Sequence, residues 1–398
     1  MKADLSKKRV YFDWAAATPL LPEAKAAMEP FLVDNFGNPS AIHQEGAVAR
    51  RAVDEARDSI AKALGIRESE VFFTASGTES NNLAIYGLLR QLVENNRSFN
   101  ELEVITTKLE HPSVSQVLKH LQGCGLTVKY VPVDEVGLIN TNELTTLLNE
   151  HTCLVTFAYA NSEIGTVQPV GRITRLVAKY NREHKTAIKV HLDAAQAPLW
   201  LTCQPHQLGV DLMTLDAGKC QGPKGVGVLV KLSNTDIKPV TLGGGQEVGL
   251  RAGTESVAGI VGAAVAIEKA QQDWPERADK VSVVRDEGIK VLLGTIPQAI
   301  LNGPGGEDRL ANNINISIPG LDTEFSTVVL DTHGFAVSTK SACSGADGGE
   351  SAVVKEILND PARAASTLRI TLGPNSNIDD INRLITCLKA HVEKMSQY

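Results

Sequence analysis

Short apolar stretches alternate with amphipathic helical patterns along the middle of the chain. Strands are predicted at residues 71–74, 104–107, 128–133, 154–158, 188–192, 212–215 and 226–230. Helices are predicted between most of them, for example at residues 79–92, 112–121, 141–148 and 173–184. This alternation predicts an α/β fold in which a mostly parallel sheet is sandwiched by helices. Sheets of this kind bind ligands at the carboxyl ends of their strands.

Further elements are predicted on both sides of this region. A short strand at 10–13 and helices at 22–31 and 45–64 come before it. A helical stretch from 257 to 293, strands at 312–318 and 336–338, and a final helix at 378–394 come after it. With 398 residues the chain is long enough for two domains. We predict a large domain at residues 20–256 and a smaller α+β domain made of residues 1–19 and 257–398.

Charge and cysteine usage narrow the classes of function. The net charge of −7 gives no basic face for nucleic acid, so direct nucleic-acid binding is not expected. The sequence contains no run of eighteen apolar residues, so no membrane span is expected. The first ten residues lack the apolar core of a signal peptide. The six cysteines, at positions 124, 153, 203, 220, 343 and 387, are scattered without a CxxC pair. This argues against a disulfide framework and a zinc site, and predicts a reducing cytoplasm.

Lys219 lies in a glycine-rich connection, residues 215–227, between two predicted strands. An amine held against the wall of a pocket is shielded from water, which favours its neutral, nucleophilic form. In that form it can make a Schiff base with an aldehyde. An ordinary surface lysine on a tight turn is the alternative interpretation of this segment.

Polar residues also follow other predicted strands. Residues 74–79 run from a strand into a helix through small and hydroxyl side chains, which suits an anion site. A plain Ser/Thr cap with a glutamate three residues later explains the same pattern. Taken alone, His111 could be a structural hydrogen-bonding residue and Asn161 a turn residue. Asp193 ends a very apolar strand three residues before Gln196, and a buried carboxylate needs a cationic or hydrogen-bonding partner.

Parallel strands bring these residues to one edge of one sheet. That edge then carries a phosphate cradle, a histidine, an asparagine, an Asp–Gln pair and a lysine. Pyridoxal phosphate needs a Schiff-base lysine, an acid partner for its pyridinium nitrogen and an anion site. The sequence therefore predicts a pyridoxal 5'-phosphate site.

In this order the segments resemble those of cysteine desulfurases, within the class V aminotransferase-like group of fold-type I pyridoxal-phosphate enzymes. The resemblance extends over nearly the whole chain. It is carried by residues 11–19, 36–40, 73–81, 110–111, 161–165, 193–196, 222–225, 243–247, 251–255 and 368–370.

The resemblance implies roles for the residues around the cofactor ring. Lys219 would form the covalent link to the cofactor, and His111 would stack on the ring and help move protons. Asp193 would pair with the pyridine nitrogen and Gln196 with the ring oxygen. Asn161 would contact both the cofactor and the substrate.

The same resemblance assigns the phosphate end, with one departure. Gly77 and Thr78 would hold the phosphate, and Gly218 can offer its backbone amide. Thr254 would reach the phosphate of the partner subunit, which implies a homodimer. Where relatives usually have Ser-Gly-His or Ser-Ala-His before the lysine, this chain has Asp-Ala-Gly, beginning at Asp216. Because a carboxylate repels a phosphate, we predict weaker or differently arranged phosphate binding.

Cys343 lies among Ser, Gly, Ala and Asp residues, a composition that favours a mobile, solvated loop. A single cysteine is otherwise a small buried hydrophobe. The resemblance implies that Cys343 forms a persulfide and that its extended loop carries sulfur outward to an acceptor protein. Arg369, between apolar neighbours, would bind the substrate carboxylate through a bidentate pair.

The implied activity turns L-cysteine into L-alanine with a persulfide on Cys343, which would supply iron–sulfur clusters, thiolated tRNA or another acceptor. A selenocysteine lyase or another class V enzyme is one alternative. A catalytically silent scaffold is another, favoured by the altered phosphate segment. The chain ends soon after its last predicted helix, so the longer tail by which some relatives dock a scaffold protein is not expected.

Overall fold

The structure is a computed structural model that describes residues 9–339 and 350–395. It is organised around a seven-stranded sheet. The strands are β1 (Val10–Tyr11), β2 (Val71–Thr74), β3 (Glu103–Thr106), β4 (Thr127–Tyr130), β5 (Thr152–Ala158), β6 (Lys189–Asp193), β7 (Leu212–Asp216), β8 (Gly227–Lys231), β9 (Ile300–Leu301), β10 (Asn313–Ser317), β11 (Phe335–Ala336) and β12 (Thr367–Thr371). The helices are α1 (Pro22–Met28), α2 (Gln44–Leu64), α3 (Gly77–Glu94), α4 (Pro112–Gly123), α5 (Thr141–Leu147), α6 (Val170–His184), α7 (Pro205–Leu208), α8 (Val257–Gln272), α9 (Trp274–Thr295), α10 (Thr323–Thr332), α11 (Ala352–Leu358), α12 (Pro361–Ala365) and α13 (Ile378–Met395).

The large sheet has the strand order β2-β8-β7-β6-β5-β3-β4. Neighbouring strands from β4 to β7 pair in parallel, and β8 is antiparallel to both β7 and β2. The first six residues of β5 are all buried, as expected for a strand covered on both faces. The predicted mostly parallel sheet is confirmed.

Helices cover both faces of this sheet. Successive side chains of a strand point to opposite faces, so Phe72 and Phe73 on β2 enter different cores. Phe73 shares its core with Ile60 of α2, while Phe72 packs in a second core with Leu88 of α3 and Leu118 of α4. The predicted sandwich of helices around the sheet is therefore confirmed.

A smaller antiparallel sheet, in the order β12-β10-β9, is formed by the C-terminal part of the chain. The first strand, β1, pairs in parallel with β11, and Asp13 forms a bridge with Thr371. The N-terminal segment thus contacts the C-terminal region. The predicted division into residues 20–256 and residues 1–19 plus 257–398 stays a prediction.

The helical stretch predicted at residues 257–293 is two helices, because α8 ends at Gln272 and α9 begins at Trp274. Pro275 lies in the first turn of α9, where its missing N–H costs nothing, but it could not continue the hydrogen bonds of α8. Among the helices of the described residues, none combines the length and the apolar character that crossing a bilayer requires.

Candidate active site

A cavity of 650 Å³ opens at the carboxyl ends of the central strands. Most of the predicted site residues line it. They are Gly77, Thr78, His111, Asn161, Asp193, Gln196, Lys219 and Arg369. The parallel topology explains this meeting, because strands that run in one direction deliver their following loops to one edge.

Lys219 follows β7 in a short 3-10 turn, Ala217–Lys219. Its Nζ donates to the carbonyl oxygens of Ala15 at 2.8 Å and Ala16 at 2.5 Å. Gln196 Nε2 donates to the same Ala15 oxygen at 3.0 Å. The turn after β1 therefore holds Lys219 and Gln196 together through its backbone carbonyls. Alanine side chains give no sequence signal for such a role.

Asp193 is the last residue of β6 and is 8% exposed. Its Oδ2 accepts from Asn81 Nδ2 at 2.8 Å, and its Oδ1 accepts from the Ala195 amide at 3.1 Å. Asn81 Nδ2 also donates to Ser113 Oγ at 2.8 Å. These bonds hold the carboxylate in the wall of the cavity.

His111 caps helix α4 with its ring. Its Nδ1 accepts from the Ser113 amide at 3.1 Å and lies 2.8 Å from Ser113 Oγ. Because Nδ1 is an acceptor, the proton of the neutral ring lies on Nε2. Burial lowers the pKa of His111; Asp193 opposes this effect and Lys219 adds to it. The ring is therefore neutral at pH 7.

Asn81 and Ser113 were not predicted as site residues. A local signal exists for each of them. Asn81 lies four residues after Gly77, so both are on one face of α3. Ser113 lies two residues after His111, a spacing at which neighbouring side chains and backbone groups commonly form hydrogen bonds.

Glu110 also lines the cavity and also had no predicted role. The residue keeps some accessible surface, but its Oε2 is buried and has no hydrogen-bond partner among the described residues. Its Oε1 accepts from Thr107 Oγ1 at 2.6 Å. Burial raises the pKa of Glu110 to about 8, and nearby Asp193 adds to the increase. Glu110 is therefore largely protonated at pH 7.

Arg369 lies on β12 and is 1% exposed. Its Nη2 donates to Asp13 Oδ1 at 2.8 Å, and its Nη1 donates to the Ser162 carbonyl at 3.1 Å. Its Nε is buried without a hydrogen-bond partner within the described part of the chain. A carboxylate entering the cavity would meet a cation that is already oriented by Asp13.

Asn161 uses its side chain in the turn that follows β5. Its Oδ1 accepts from the amides of Glu163 at 2.9 Å and Ile164 at 3.0 Å, and its Nδ2 donates to the Leu109 carbonyl at 3.3 Å. These are the contacts of a turn asparagine. Its predicted contacts with cofactor and substrate stay a prediction.

The phosphate end of the cavity holds the Asp216 carboxylate. Asp216 Oδ2 accepts from the Gly77 amide, the first of α3, at 3.0 Å. Asp216 Oδ1 accepts from the Gly218 amide at 2.9 Å. The amides predicted to bind a phosphate are thus bonded to an anion of the chain itself.

Two predicted site residues, Gly218 and Thr254, are not among the residues that line the cavity. Thr254 is exposed. Its expected reach to a partner subunit stays a prediction. Cys343 lies outside the described residues.

Comparison with known proteins agrees with this geometry. The family model Aminotransferase class-V matches residues 10–384. The chain belongs to the class V aminotransferase family. It is 39% identical over 389 residues to "Cysteine desulfurase IscS" of Dictyoglomus turgidum, covering 98% of this chain and 96% of that protein.

Two further proteins are similar to this chain over comparable lengths. "Cysteine desulfurase IscS" of Clostridium botulinum (strain Hall) is 37% identical over 382 residues, covering 96% of this chain and 94% of that protein. A solved structure titled "NIFS-LIKE PROTEIN" superposes with a TM-score of 0.88 at 34% identity, covering 97% of this chain and 99% of that chain.

Class V aminotransferases depend on pyridoxal phosphate, and the ring end of the cavity suits this cofactor. A carboxylate fixed by hydrogen bonds, Asp193, faces the cavity together with an amine and a neutral imidazole. Glu110 Oε2 and Arg369 Nε are buried polar atoms that the described residues leave unpaired. The residues present thus fit the ring and the substrate, while Asp216 meets the phosphate with a negative charge.

Proposed function

We propose that this class V protein is a pyridoxal-phosphate-dependent cysteine desulfurase that turns L-cysteine into L-alanine. The observation that carries the proposal is the convergence of Lys219, His111, Asp193 and Gln196 on one cavity at the carboxyl edge of the sheet. Identity of 39% to a curated cysteine desulfurase over nearly the full length supports the choice of reaction.

The cofactor, when bound, withdraws electrons from the substrate and so stabilises negative charge at its Cα. Asp193 would favour this withdrawal, because its carboxylate would stabilise a protonated pyridine nitrogen. Asn81 orients Asp193 through the bond between its Nδ2 and the carboxylate. Lys219 Nζ would hold the cofactor through a covalent bond, and as a free amine it would accept the proton from the substrate Cα.

His111 and Arg369 both line the cavity and would act on the substrate. The ring proton of His111 lies on Nε2, because Nδ1 accepts from the Ser113 amide, so Nε2 is the atom that would help move protons. Arg369 binds the substrate carboxylate, and its pairing with Asp13 fixes the plane of the guanidinium. Arg369 thereby orients the substrate before any bond breaks.

Cys343 receives the sulfur. Its thiolate forms an S–S bond to the substrate sulfur while the C–S bond breaks, and the substrate carbon takes up a proton to become alanine. The chain after the cysteine segment is held beside the cavity, because Ser351 Oγ donates to Glu163 Oε2 at 2.7 Å. Glu163 belongs to the Asn161 turn, so this contact supports transfer between the cavity and the Cys343 segment.

The protein acts as a homodimer in this proposal. Val248 and Ser40 line a second cavity, of 840 Å³. The side chain of Val248 is exposed, and so are those of Phe36 and Ile42, which lie on either side of Ser40 in the sequence. Val248 is 91% exposed and has a positive φ of 56°, a costly conformation for a β-branched residue. Such strain is typical of functional surfaces, and a second copy of the chain would bury these apolar side chains.

A protein acceptor then takes the sulfur from Cys343 in the cytoplasm. Cys124, Cys153, Cys203 and Cys220 are free thiols, which suits a reducing compartment. The acceptor must carry a group that can take sulfur from a persulfide, either a thiol or an iron–sulfur cluster that is being assembled.

A visible absorption spectrum of the purified protein, followed by alanine and sulfide assays with L-cysteine and a thiol reductant, tests this function. We expect a cofactor band and equal amounts of alanine and sulfide. Turnover of L-selenocysteine with L-cysteine left intact would identify a selenocysteine lyase instead. A protein with neither band nor product would be a scaffold.

A further inference from the structure

We propose that Asp216 determines how strongly the site distinguishes a phosphorylated from an unphosphorylated cofactor, because its carboxylate competes with the phosphate for the same two amides. This inference rests on the proposed pyridoxal-phosphate function. It concerns a residue of this chain that departs from the serine usual at this position.

The carboxylate is bonded at both oxygens. Oδ2 accepts from the amide of Gly77 at 3.0 Å, and Oδ1 accepts from the amide of Gly218 at 2.9 Å. The Gly77 amide opens α3, a helix of 18 residues, where the free N–H groups and the helix dipole favour an anion. Asp216 therefore already supplies the negative charge that this helix end attracts.

Both glycines pack closely against this carboxylate. A Cβ on Gly77 would lie 3.1 Å from Asp216 Oδ2, and a Cβ on Gly218 would lie 3.2 Å from Oδ1. Either distance is tighter than ordinary van der Waals contact. The segment between β7 and Lys219 is thus shaped around the Asp216 side chain, and Asp216 lines the cavity with Thr78 and Lys219.

A phosphate and this carboxylate cannot share the two amides, because like charges at hydrogen-bonding separation repel strongly in a partly buried site. Binding of pyridoxal phosphate must therefore release Asp216 from Gly77 and Gly218. Pyridoxal, which has no phosphate, can enter the ring end while Asp216 keeps both bonds. Displacing Asp216 therefore lowers the binding affinity of the phosphorylated cofactor and leaves that of pyridoxal unchanged.

Titration of the full-length apo-protein with pyridoxal phosphate and, separately, with pyridoxal tests this inference by visible absorbance. For Asp216→Ser we expect the Kd for pyridoxal phosphate to fall by about tenfold or more, with the Kd for pyridoxal unchanged. Asp216→Asn keeps the size of the side chain and removes its charge, so it should shift the ratio of the two Kd values in the same direction. The melting temperature of apo Asp216→Ser should fall, because two amides lose a charged acceptor.

Asp211→Asn is the matched control, since Asp211 precedes the opposite end of β7 and pairs with Lys189. It should leave both Kd values unchanged. Equal Kd values for pyridoxal phosphate in wild type and both Asp216 variants would overturn the inference alone. Parallel changes for both ligands would also overturn it. Failure of every protein to bind either ligand would overturn the inference together with the proposed function.

Discussion

The side-chain amide of Asn81 donates to the Asp193 carboxylate at 2.8 Å. The same nitrogen donates to Ser113 Oγ, which lies 2.8 Å from His111 Nδ1. One asparagine on α3 thus positions both the carboxylate at the end of β6 and the imidazole at the start of α4. Asn81 Oδ1 is buried without a partner among the described residues, so the two donor bonds are its main contribution to the network.

Replacing Asn81 with alanine should weaken cofactor binding while the protein still folds. Loss of a hydrogen bond to a charged group costs about 1.5–3 kcal/mol, so the Kd for pyridoxal phosphate should rise by about tenfold or more. Titration of apo-protein followed by visible absorbance measures it. Asn82→Ala is the matched control, because Asn82 is the next residue of α3 and donates to the Thr78 carbonyl at 2.9 Å. Equal effects of the two substitutions would contradict the positioning role of Asn81.

Protonation of Glu110 should make stability depend on pH. Its pKa is about 8 in the folded protein against a usual value of 4.5, so between these pH values the folded chain binds a proton that the unfolded chain releases. The free energy of unfolding should therefore fall as pH rises through this window, by at most about 1.4 kcal/mol per pH unit from this group. Glu110→Gln keeps the neutral form and removes this contribution.

Urea unfolding of wild type and Glu110→Gln at pH 5, 6.5 and 8 measures this effect. The stability of the variant relative to wild type should increase with pH. Glu135→Gln, a substitution at another glutamate that is exposed, should follow the wild-type curve. A constant difference between wild type and Glu110→Gln at all three pH values would show that Glu110 titrates normally.

Strand and helix positions were predictable wherever the determining pattern is local. The apolar runs of β5, β6 and β7 and their parallel pairing placed Asp193 and Lys219 at one edge. Partners distant in sequence left no local signal. Asp13 and Arg369 form an ion pair although they are 356 residues apart. The sequence around Arg369 predicts a cation for the substrate carboxylate, but it does not indicate that Asp13 is its partner.

The interpretation of Asp216 shows a second limit of sequence. Its charge was predicted to disturb a phosphate, which follows from residue type alone. Its bond to the Gly77 amide spans 139 residues and depends on how β7 and α3 pack. Only the three-dimensional arrangement identifies the carboxylate as an occupant of the anion position.

Disruption of the proposed dimer is expected from Val248→Glu. A charge at this exposed apolar position would oppose burial against a second chain, and the protein should elute as a monomer in size-exclusion chromatography with light scattering. Val283→Glu is the matched control, because Val283 is 70% exposed on α9. A wild-type protein that is already monomeric, or a dimeric Val248→Glu, would contradict this interface.

Cys343→Ser should separate sulfur transfer from cofactor binding. The variant should retain the visible cofactor band and its spectral response to L-cysteine, but form no persulfide, as measured by mass spectrometry of the intact protein. Cys220, beside Lys219, is the competing nucleophile. Burial raises the pKa of the Cys220 thiol, which keeps it protonated and unreactive. Cys220→Ser should therefore still form the persulfide, and its loss in that variant alone would reassign the nucleophile.

Covalent attachment of the cofactor to Lys219 is the central claim, and borohydride reduction of the holoprotein followed by peptide mapping tests it most directly. Lys219 Nζ lines the cavity, whereas Lys224 is exposed and donates to the Thr18 carbonyl at 3.2 Å. Fragmentation of the peptide that contains both lysines should place the reduced cofactor on Lys219, and Lys219→Ala should give no labelled peptide. A label on Lys224 in the wild-type protein would contradict the account.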